Sequence, residues 1–392
     1  MNSSKPKLFR IATVPMSLNL LLKGQLEFLN KHFQVTAISG DGDDLQTVAE
    51  REGVNIHKIE MHRPISFRQD LKSLWNLYWY FKKEKPTIIH SITPKAGLLS
   101  MMAGKLAGVP VRMHTFTGLI FPHKYGYMKR TLIIMDKILC RCATHVYPEG
   151  RGVKEDLQKH NITNKPLKVI ANGNINGVDV NYYHPEAISE EAKNQLRDSL
   201  QIKEDDFVFV FVGRLVIDKG LRELVKAFDA LSKHHQNIKL ILVGPKENAH
   251  NPKKRAMFHS IHQNENIITV GFQEEVRPYY AISNVLILPS YREGFPNAVL
   301  QAGAMGLPSI VSDISGCNEI IDHEVNGLLV PKKNHIELQK AMEKMLYNPS
   351  LLKEFYQNAR NKVVKSFDKN FVWQELKKEY ENALDKLKLQ KK

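Results

Sequence analysis

Two cations, Arg214 and Lys219, stand close together after the apolar run Phe207 to Val212 and its closing Gly213. An amphipathic stretch follows, with Leu221, Leu224, Phe228 and Leu231 on one face. A lysine at a helix start faces the positive end of the helix dipole, which costs roughly 0.3–1 kcal/mol. A bound anion offsets that cost, and a diphosphate suits two cations beside exposed backbone N–H groups. The competing reading is a pair of solvated surface charges. A second segment, VLILPSYREGFPNAVLQAGAMGLPSIVSD, has the same layout. A strand predicted over Val285 to Leu288 ends at Pro289, and a polar turn holds Ser290, Arg292 and Glu293. Asn297 is expected to cap a short helix from Ala298 to Met305, whose free amides can receive phosphate. Ala302, Gly303, Ala304 and Gly306 are small enough for close backbone approach, and the carboxylate of Glu293 can accept hydrogen bonds from sugar hydroxyls.

These segments require a scaffold of parallel sheets. Short runs rich in Val, Ile, Leu and Phe alternate with amphipathic stretches, the pattern of strands buried on both faces. In the first half the strand candidates are KLFRIATV, QVTAIS, TIIHSI, VPVRMHTF, ATHVYP and LKVIANG. In the second half they are DFVFVFVG, IKLILVG, NIITVG, VLILPS, PSIVSD and GLLVP. Two such series in 392 residues predict an α/β protein of two doubly wound, Rossmann-like domains. The Gly, Asn and Pro cluster from Asn172 to Pro185 marks the boundary, giving domains over 1–176 and 177–370. Residues 371–392 read as a terminal helix that packs back toward the first domain. Ligands of open parallel sheets bind beyond the carboxyl ends of the strands, so the expected site is a cleft between the two.

Charge separates the halves. Residues 1–175 hold 26 Lys and Arg against 13 Asp and Glu, while the remainder holds 30 against 28. An anionic partner for the first half follows: phosphate groups, nucleic acid or an acidic membrane surface. The dispersed cations, with no recognition helix, zinc finger or aromatic RNA-binding signature, argue against nucleic acid. No apolar stretch is long enough to span a bilayer, and MNSSKPKLFRIATVP reads as a first strand rather than a signal peptide. Two stretches combine oil and charge: Phe67 to Lys85, with Trp75, Tyr78, Trp79, Tyr80 and Phe81, and Ile120 to Met135. Aromatics at helical spacing read as core or as an interfacial helix on anionic lipid.

Metal and redox chemistry find little support. Asp41-Gly42-Asp43 has the Asp-x-Asp form that holds a divalent ion on a diphosphate, but it lies far along the chain from the phosphate-type segments. The three cysteines, Cys140, Cys142 and Cys317, form neither a disulfide framework nor a zinc spacing, which fits a reduced cytosolic compartment. No cofactor and no metal are expected.

Taken together, the segments resemble the nucleotide-sugar-binding half of family 4 glycosyltransferases, retaining enzymes of the GT-B fold. Gly213-Arg214 with Lys219-Gly220, Pro289-Ser290, Glu293-Gly294-Phe295 and Gly306-Leu307-Pro308 carry that likeness. The first half, through PMSLNLLLKGQLEFL, HSITPKAGLLS, VRMHTFTGLIF and NGNINGVD, is similar to enzymes that build bacterial surface polysaccharides on polyprenyl diphosphate, among them N-acetylgalactosaminyltransferases. The resemblance implies that Arg214 and Lys219 grip the diphosphate of a UDP-sugar. It implies that Glu293 binds the sugar hydroxyls and that backbone amides of Phe295, Asn297 and Ala298 contact phosphate or sugar. It further implies that Gly24 lets a loop approach the diphosphate and that His114 faces the donor sugar. His90 and Lys95 are expected at the acceptor diphosphate. One position departs from the family: a second Glu, which binds the ribose, is here Gln301. The implied reaction is sugar transfer to a lipid-linked sugar at the cytoplasmic face of the membrane, with a soluble enzyme acting on a small molecule or sugar phosphate as the same-fold alternative.

Overall fold

The computed structural model describes residues 5–62, 64–246 and 252–390. The chain divides into two units, Met1–Gly177 with Asn370–Lys392, and Val178–Lys369. Among the described residues each unit holds one six-stranded, fully parallel sheet.

The first sheet contains β1 (Lys7–Ile11), β2 (Gln34–Ser39), β3 (Asn55–Lys58), β4 (Ile88–Ser91), β5 (Val111–Phe116) and β6 (His145–Pro148). Its strand order is β3-β2-β1-β4-β5-β6. The second contains β7 (Phe207–Val212), β8 (Ile238–Val243), β9 (Ile267–Gly271), β10 (Val285–Leu288), β11 (Ser309–Ser312) and β12 (Gly327–Val330), ordered β12-β11-β10-β7-β8-β9. Both orders are Rossmann-like. In each the chain winds to one side of its first strand, then returns and winds to the other. The reversal falls between β1 and β4 in one unit and between β7 and β10 in the other, and there the loops leaving adjacent strands diverge.

Burial explains the strand sequences. Val208, Phe209, Val210 and Phe211 of β7 are fully buried, so both faces of the strand demand apolar side chains and no alternation appears. Two expectations need correction. LKVIANG does not form a strand: Leu167 makes a single bridge to Val146, and the backbone then turns through positive φ at Ala171, Gly173 and Asn174. In its place the edge strand β3, Asn-Ile-His-Lys, is added by register with β2, pairing Ile56 with Ala37. One apolar residue in four carries no readable strand signal.

The terminal helix, Lys369–Gln390, supplies Leu376, Tyr380 and Ala383 to the cluster built on Leu8, Val35 and Val111. Trp373 donates its indole N–H to the carbonyl of Asn176 at 3.0 Å. These contacts make the helix part of the first unit's core. Among the described residues no helix is long and apolar enough to cross a membrane.

Candidate active site

At the switch point of the second sheet, β7 and β10 lie side by side. The loop after β7 carries Gly213, Arg214 and a 3-10 turn, Ile217–Lys219, before the helix Leu221–Ser232. The loop after β10 carries Pro289 to Pro296 and opens the helix Asn297–Ala304. Backbone contact locks the two loops together. Gly220 has φ +72°, and a Cβ there would sit 1.9 Å from the carbonyl oxygen of Pro289, so only glycine fits. The N–H of Tyr291 donates to the carbonyl of Asp218 at 2.9 Å. Farther along, the Tyr291 hydroxyl donates to Glu223 Oε2 at 2.6 Å.

This clamp brings Lys219 to Glu293. Lys219 Nζ donates to Glu293 Oε1 at 2.6 Å and Oε2 at 2.8 Å, and Ser290 Oγ donates to Oε1 at 2.6 Å. Lys219 remains 24% exposed and Glu293 only 9%, so the cation is the more accessible partner. Arg214 is exposed on the same loop as Lys219. Lys219 closes the 3-10 turn, with Gly220 between it and the helix.

The helix Asn297–Ala304 starts one residue earlier than expected. Asn297 is its first residue and not its cap; Pro296 holds the cap position and makes no side-chain cap hydrogen bond. Proline brings no N–H of its own, and its carbonyl accepts from the N–H groups of Val299 and Leu300. Phe295 turns its ring inward, 5.4 Å from Phe367. The Tyr280 hydroxyl donates to Gln301 Oε1 at 3.3 Å, which leaves the amide NH₂ as the donor end of Gln301. The carbonyl of Ala298 is a second acceptor for that hydroxyl, at 3.4 Å.

In the first unit, the loops at the switch point meet through Thr13 and Thr93, whose hydroxyls lie 2.8 Å apart. His114, on β5, pairs in register with Ser91 on β4, and Ser91 Oγ sits 2.8 Å from His114 Nδ1. Gly97 makes room for the ring: a Cβ there would lie 2.4 Å from its Cε1. His114 Nε2 is buried and has no hydrogen-bond partner among the described residues. Burial pulls the His114 pKa down to about 3, so the imidazole is neutral and can hold one proton at one nitrogen. Ser91 and Gly97 were missed in the sequence because nothing but register and packing ties them to His114.

Three expected residues sit differently. Lys95 is 8% exposed and hydrogen-bonds Asp70 Oδ1 and the carbonyl of Pro64. His90 is buried between Arg10, Tyr380 and Thr115, with Nδ1 2.7 Å from the Tyr380 hydroxyl and Nε2 2.8 Å from Thr115 Oγ1. Burial and the nearby Arg10 charge hold it well below the usual histidine range. Gly24 lies against the Trp373 ring, where a Cβ would come within 2.8 Å, and its N–H already donates to Glu52 at 2.8 Å. Each is part of the first unit's packing, which gives a structural reason for its presence. Asp41 pairs with Lys58 at 2.6 Å, and Asp43 begins the helix Asp43–Glu52.

The sequence matches two family descriptions: Glycosyltransferase Family 4 over residues 26–174, and Glycosyl transferases group 1 over residues 192–362. The chain is 30% identical over 380 residues to the capsular polysaccharide biosynthesis glycosyltransferase CapM of Staphylococcus aureus, covering 96% of this chain and 97% of that one. It is 27% identical to the Escherichia coli UDP-Gal:alpha-D-GlcNAc-diphosphoundecaprenol alpha-1,3-galactosyltransferase, over 93% of this chain and 94% of the relative. Among solved structures, Anabaena Alr3699/HepE, crystallised with UDP, superposes with a TM-score of 0.82 at 17% identity, covering 96% of this chain and all (100%) of the other. With two Rossmann-like sheets, both family descriptions and a relative matched nearly end to end, the chain belongs to the family 4 glycosyltransferases of the GT-B type.

Proposed function

We propose that this glycosyltransferase moves a hexose or N-acetylhexosamine from UDP to a hydroxyl of a polyprenyl-diphosphate-linked sugar, with retention at the anomeric carbon and without a metal ion. The observation that carries the reading is the accessible lysine of the Lys219–Glu293 pair, on the loop that also carries Arg214, with the start of the helix Asn297–Ala304 on the adjoining loop at a sheet switch point. The relative from Escherichia coli, whose name gives a UDP-sugar and a diphosphoundecaprenol acceptor, supports the substrate pair.

In this reading the donor diphosphate draws Lys219 away from Glu293. Lys219 and Arg214 neutralise the charge that grows on the leaving UDP, and the amides of Asn297 and Ala298 add the helix's positive end. Glu293, still held by Ser290, turns its freed oxygens to the sugar hydroxyls. In the first unit, neutral His114 keeps a buried Nε2 that can hydrogen-bond a sugar hydroxyl. Gln301 hydrogen-bonds the ribose through its NH₂. The bond from the anomeric carbon to the diphosphate oxygen breaks, and a bond from the same carbon to the acceptor oxygen forms on the same face. The acceptor proton passes to a phosphate oxygen of the leaving UDP, so no protein base is required. Because the cations are side chains, the leaving group is stabilised without a divalent ion. The lipid tail of such an acceptor places the enzyme at the cytoplasmic surface of a membrane.

The test is incubation of the purified chain with a panel of UDP-sugars and a polyprenyl-diphosphate sugar, followed by mass spectrometry of the lipid and NMR of the new linkage. A lipid product one sugar heavier with an unchanged anomer is expected. No lipid product from any donor, or an inverted anomer, overturns the reading.

A further inference from the structure

The helix Phe67–Glu84 buries Ser73, Leu77 and Phe81 and turns a second apolar row outward. Phe67 is 83% exposed, Leu71 55%, Trp75 58% and Trp79 55%. Spaced four apart, they wind along about 18 Å of helix surface. The aromatic part of the row is already ordered: the Trp75 and Trp79 rings meet edge-on at 5.6 Å, and Tyr78 stacks on Trp75 at 5.6 Å. Single exposed apolar residues are ordinary, but a continuous row of large ones marks a contact surface.

Charge on this helix is one-sided. Its two acids are taken up elsewhere, Asp70 by Lys95 at 2.6 Å and Glu84 by Lys7 at 3.0 Å. The outward charge is therefore that of Arg68, Lys72, Lys82 and Lys83, all exposed and set among the aromatic side chains. A second helix repeats the composition. Gly126–Cys142 and the residue before it expose Tyr125 (88%), Tyr127 (86%) and Ile134, with Arg130 beside them. Its one acid, Asp136, is pushed up to about 7 by burial. Both helices pack against Pro94–Ala107, and their inner sides join one core cluster with Phe9 and Phe116, so they lie in a single layer of the first unit.

We infer that this layer is a membrane-docking surface, with Phe67, Leu71, Trp75 and Trp79 seated in the headgroup region of a bilayer rich in anionic lipid. Aromatic and aliphatic side chains interleaved with Lys and Arg are what an interfacial helix presents: the rings enter the acyl boundary while the cations meet lipid phosphates. A second copy of the chain fits less well, because a twofold contact would set this positive face against itself. The inference deepens the lipid-linked acceptor reading and rests on it for its purpose.

The test uses the full chain and vesicles without donor or acceptor. Vesicles of phosphatidylcholine alone are compared with equimolar phosphatidylcholine and phosphatidylglycerol, by co-sedimentation and tryptophan emission. Of the three tryptophans, Trp373 is buried, so a blue shift reports Trp75 and Trp79. Binding and a blue shift are expected with the anionic vesicles, both weakened by salt. Trp75→Ser with Trp79→Ser should cut partition by about tenfold or more. Lys72→Gln and Lys82→Gln should each cut it by roughly fivefold. All four positions are exposed, and circular dichroism checks that the variants fold. Equal partition to neutral and anionic vesicles, or partition untouched by the tryptophan variant, overturns the inference. So does a concentration-dependent dimer that the tryptophan variant abolishes. Transfer to a short-chain, water-soluble acceptor is measured in parallel. Docking without transfer sinks the catalytic reading alone, and transfer without docking sinks this one.

Discussion

Lys219 Nζ lies 2.6 Å and 2.8 Å from the two carboxylate oxygens of Glu293, a residue 74 positions away, and the Ser290 hydroxyl completes the cluster at 2.6 Å. In the proposed reading this pair holds the phosphate-binding cation and the hydroxyl-binding carboxylate against each other. On that reading a diphosphate would compete for the cation, and the sugar would meet the carboxylate released beside it. The two residues should therefore separate binding from turnover. Glu293→Gln removes the competitor for Lys219, so UDP alone should bind as tightly as to the wild type, or more tightly, by calorimetry. Turnover of the UDP-sugar should nevertheless fall. Weaker UDP binding with unchanged kcat would reverse the assigned roles.

Lys219→Ala and Arg214→Ala should fold and lose about 10²–10³ in kcat, the usual effect of removing one preorganised donor at a developing charge. The check is steady-state kinetics beside thermal melts. Near-normal turnover in either variant contradicts its place at the leaving group.

Gln301→Glu should remain active. The Tyr280 hydroxyl that now donates to Gln301 Oε1 can donate to a carboxylate equally well, and a charged acceptor strengthens a ribose hydrogen bond from roughly 0.5–1.5 toward 1.5–3 kcal/mol. KM for the UDP-sugar is the quantity to follow. Complete loss of turnover in a folded variant would show that this side chain does not face the ribose.

Gly220→Ala should destabilise by about 2–4 kcal/mol, combining the left-handed backbone penalty with overpacking against the Pro289 carbonyl. Gly271→Ala is the control: its φ is also +72°, but nothing lies within 4 Å of the added Cβ. Denaturant melts of both variants isolate the contact between the two loops. Equal losses would mean that the clamp contributes nothing.

Acid should weaken the first unit. His114 is held near pKa 3 against a reference of 6.5, and His90 is shifted in the same direction, both chiefly by burial. Between those values the unfolded chain binds more protons, so stability is complete above about pH 6.5 and declines as pH falls. Melting temperature should drop from pH 7 to pH 5, and the slope should be shallower in His114→Gln. An identical slope in the variant would show that His114 does not carry the effect.

Turnover should persist in excess chelator if, as proposed, Arg214 and Lys219 neutralise the leaving diphosphate. Loss of activity restored by a divalent ion would return attention to metal chemistry.

Local chemistry decided much of this protein. Strands that must bury both faces are written in Val, Ile, Leu and Phe wherever they sit centrally, so β7, β8 and β10 and the two-sheet organisation were legible. The loops after β7 and β10 were legible too, because glycine, proline and charge stand at the carboxyl ends of those strands. The edge strand β3 was not, since an edge is created by pairing and Asn-Ile-His-Lys has no burial to advertise. Nor did sequence distinguish Lys95 from Lys219: both are lysines just beyond a strand, and only the fold sets Asp70 beside one and Glu293 beside the other. Likewise Trp75 and Phe81 share one helix and one chemical class, yet packing against Pro94–Ala107 buries the phenylalanine and leaves the tryptophan outside. Residue type fixes what a side chain can do. Which partner it meets depends on contacts between segments far apart in the chain, and those exist only once the sheets have formed.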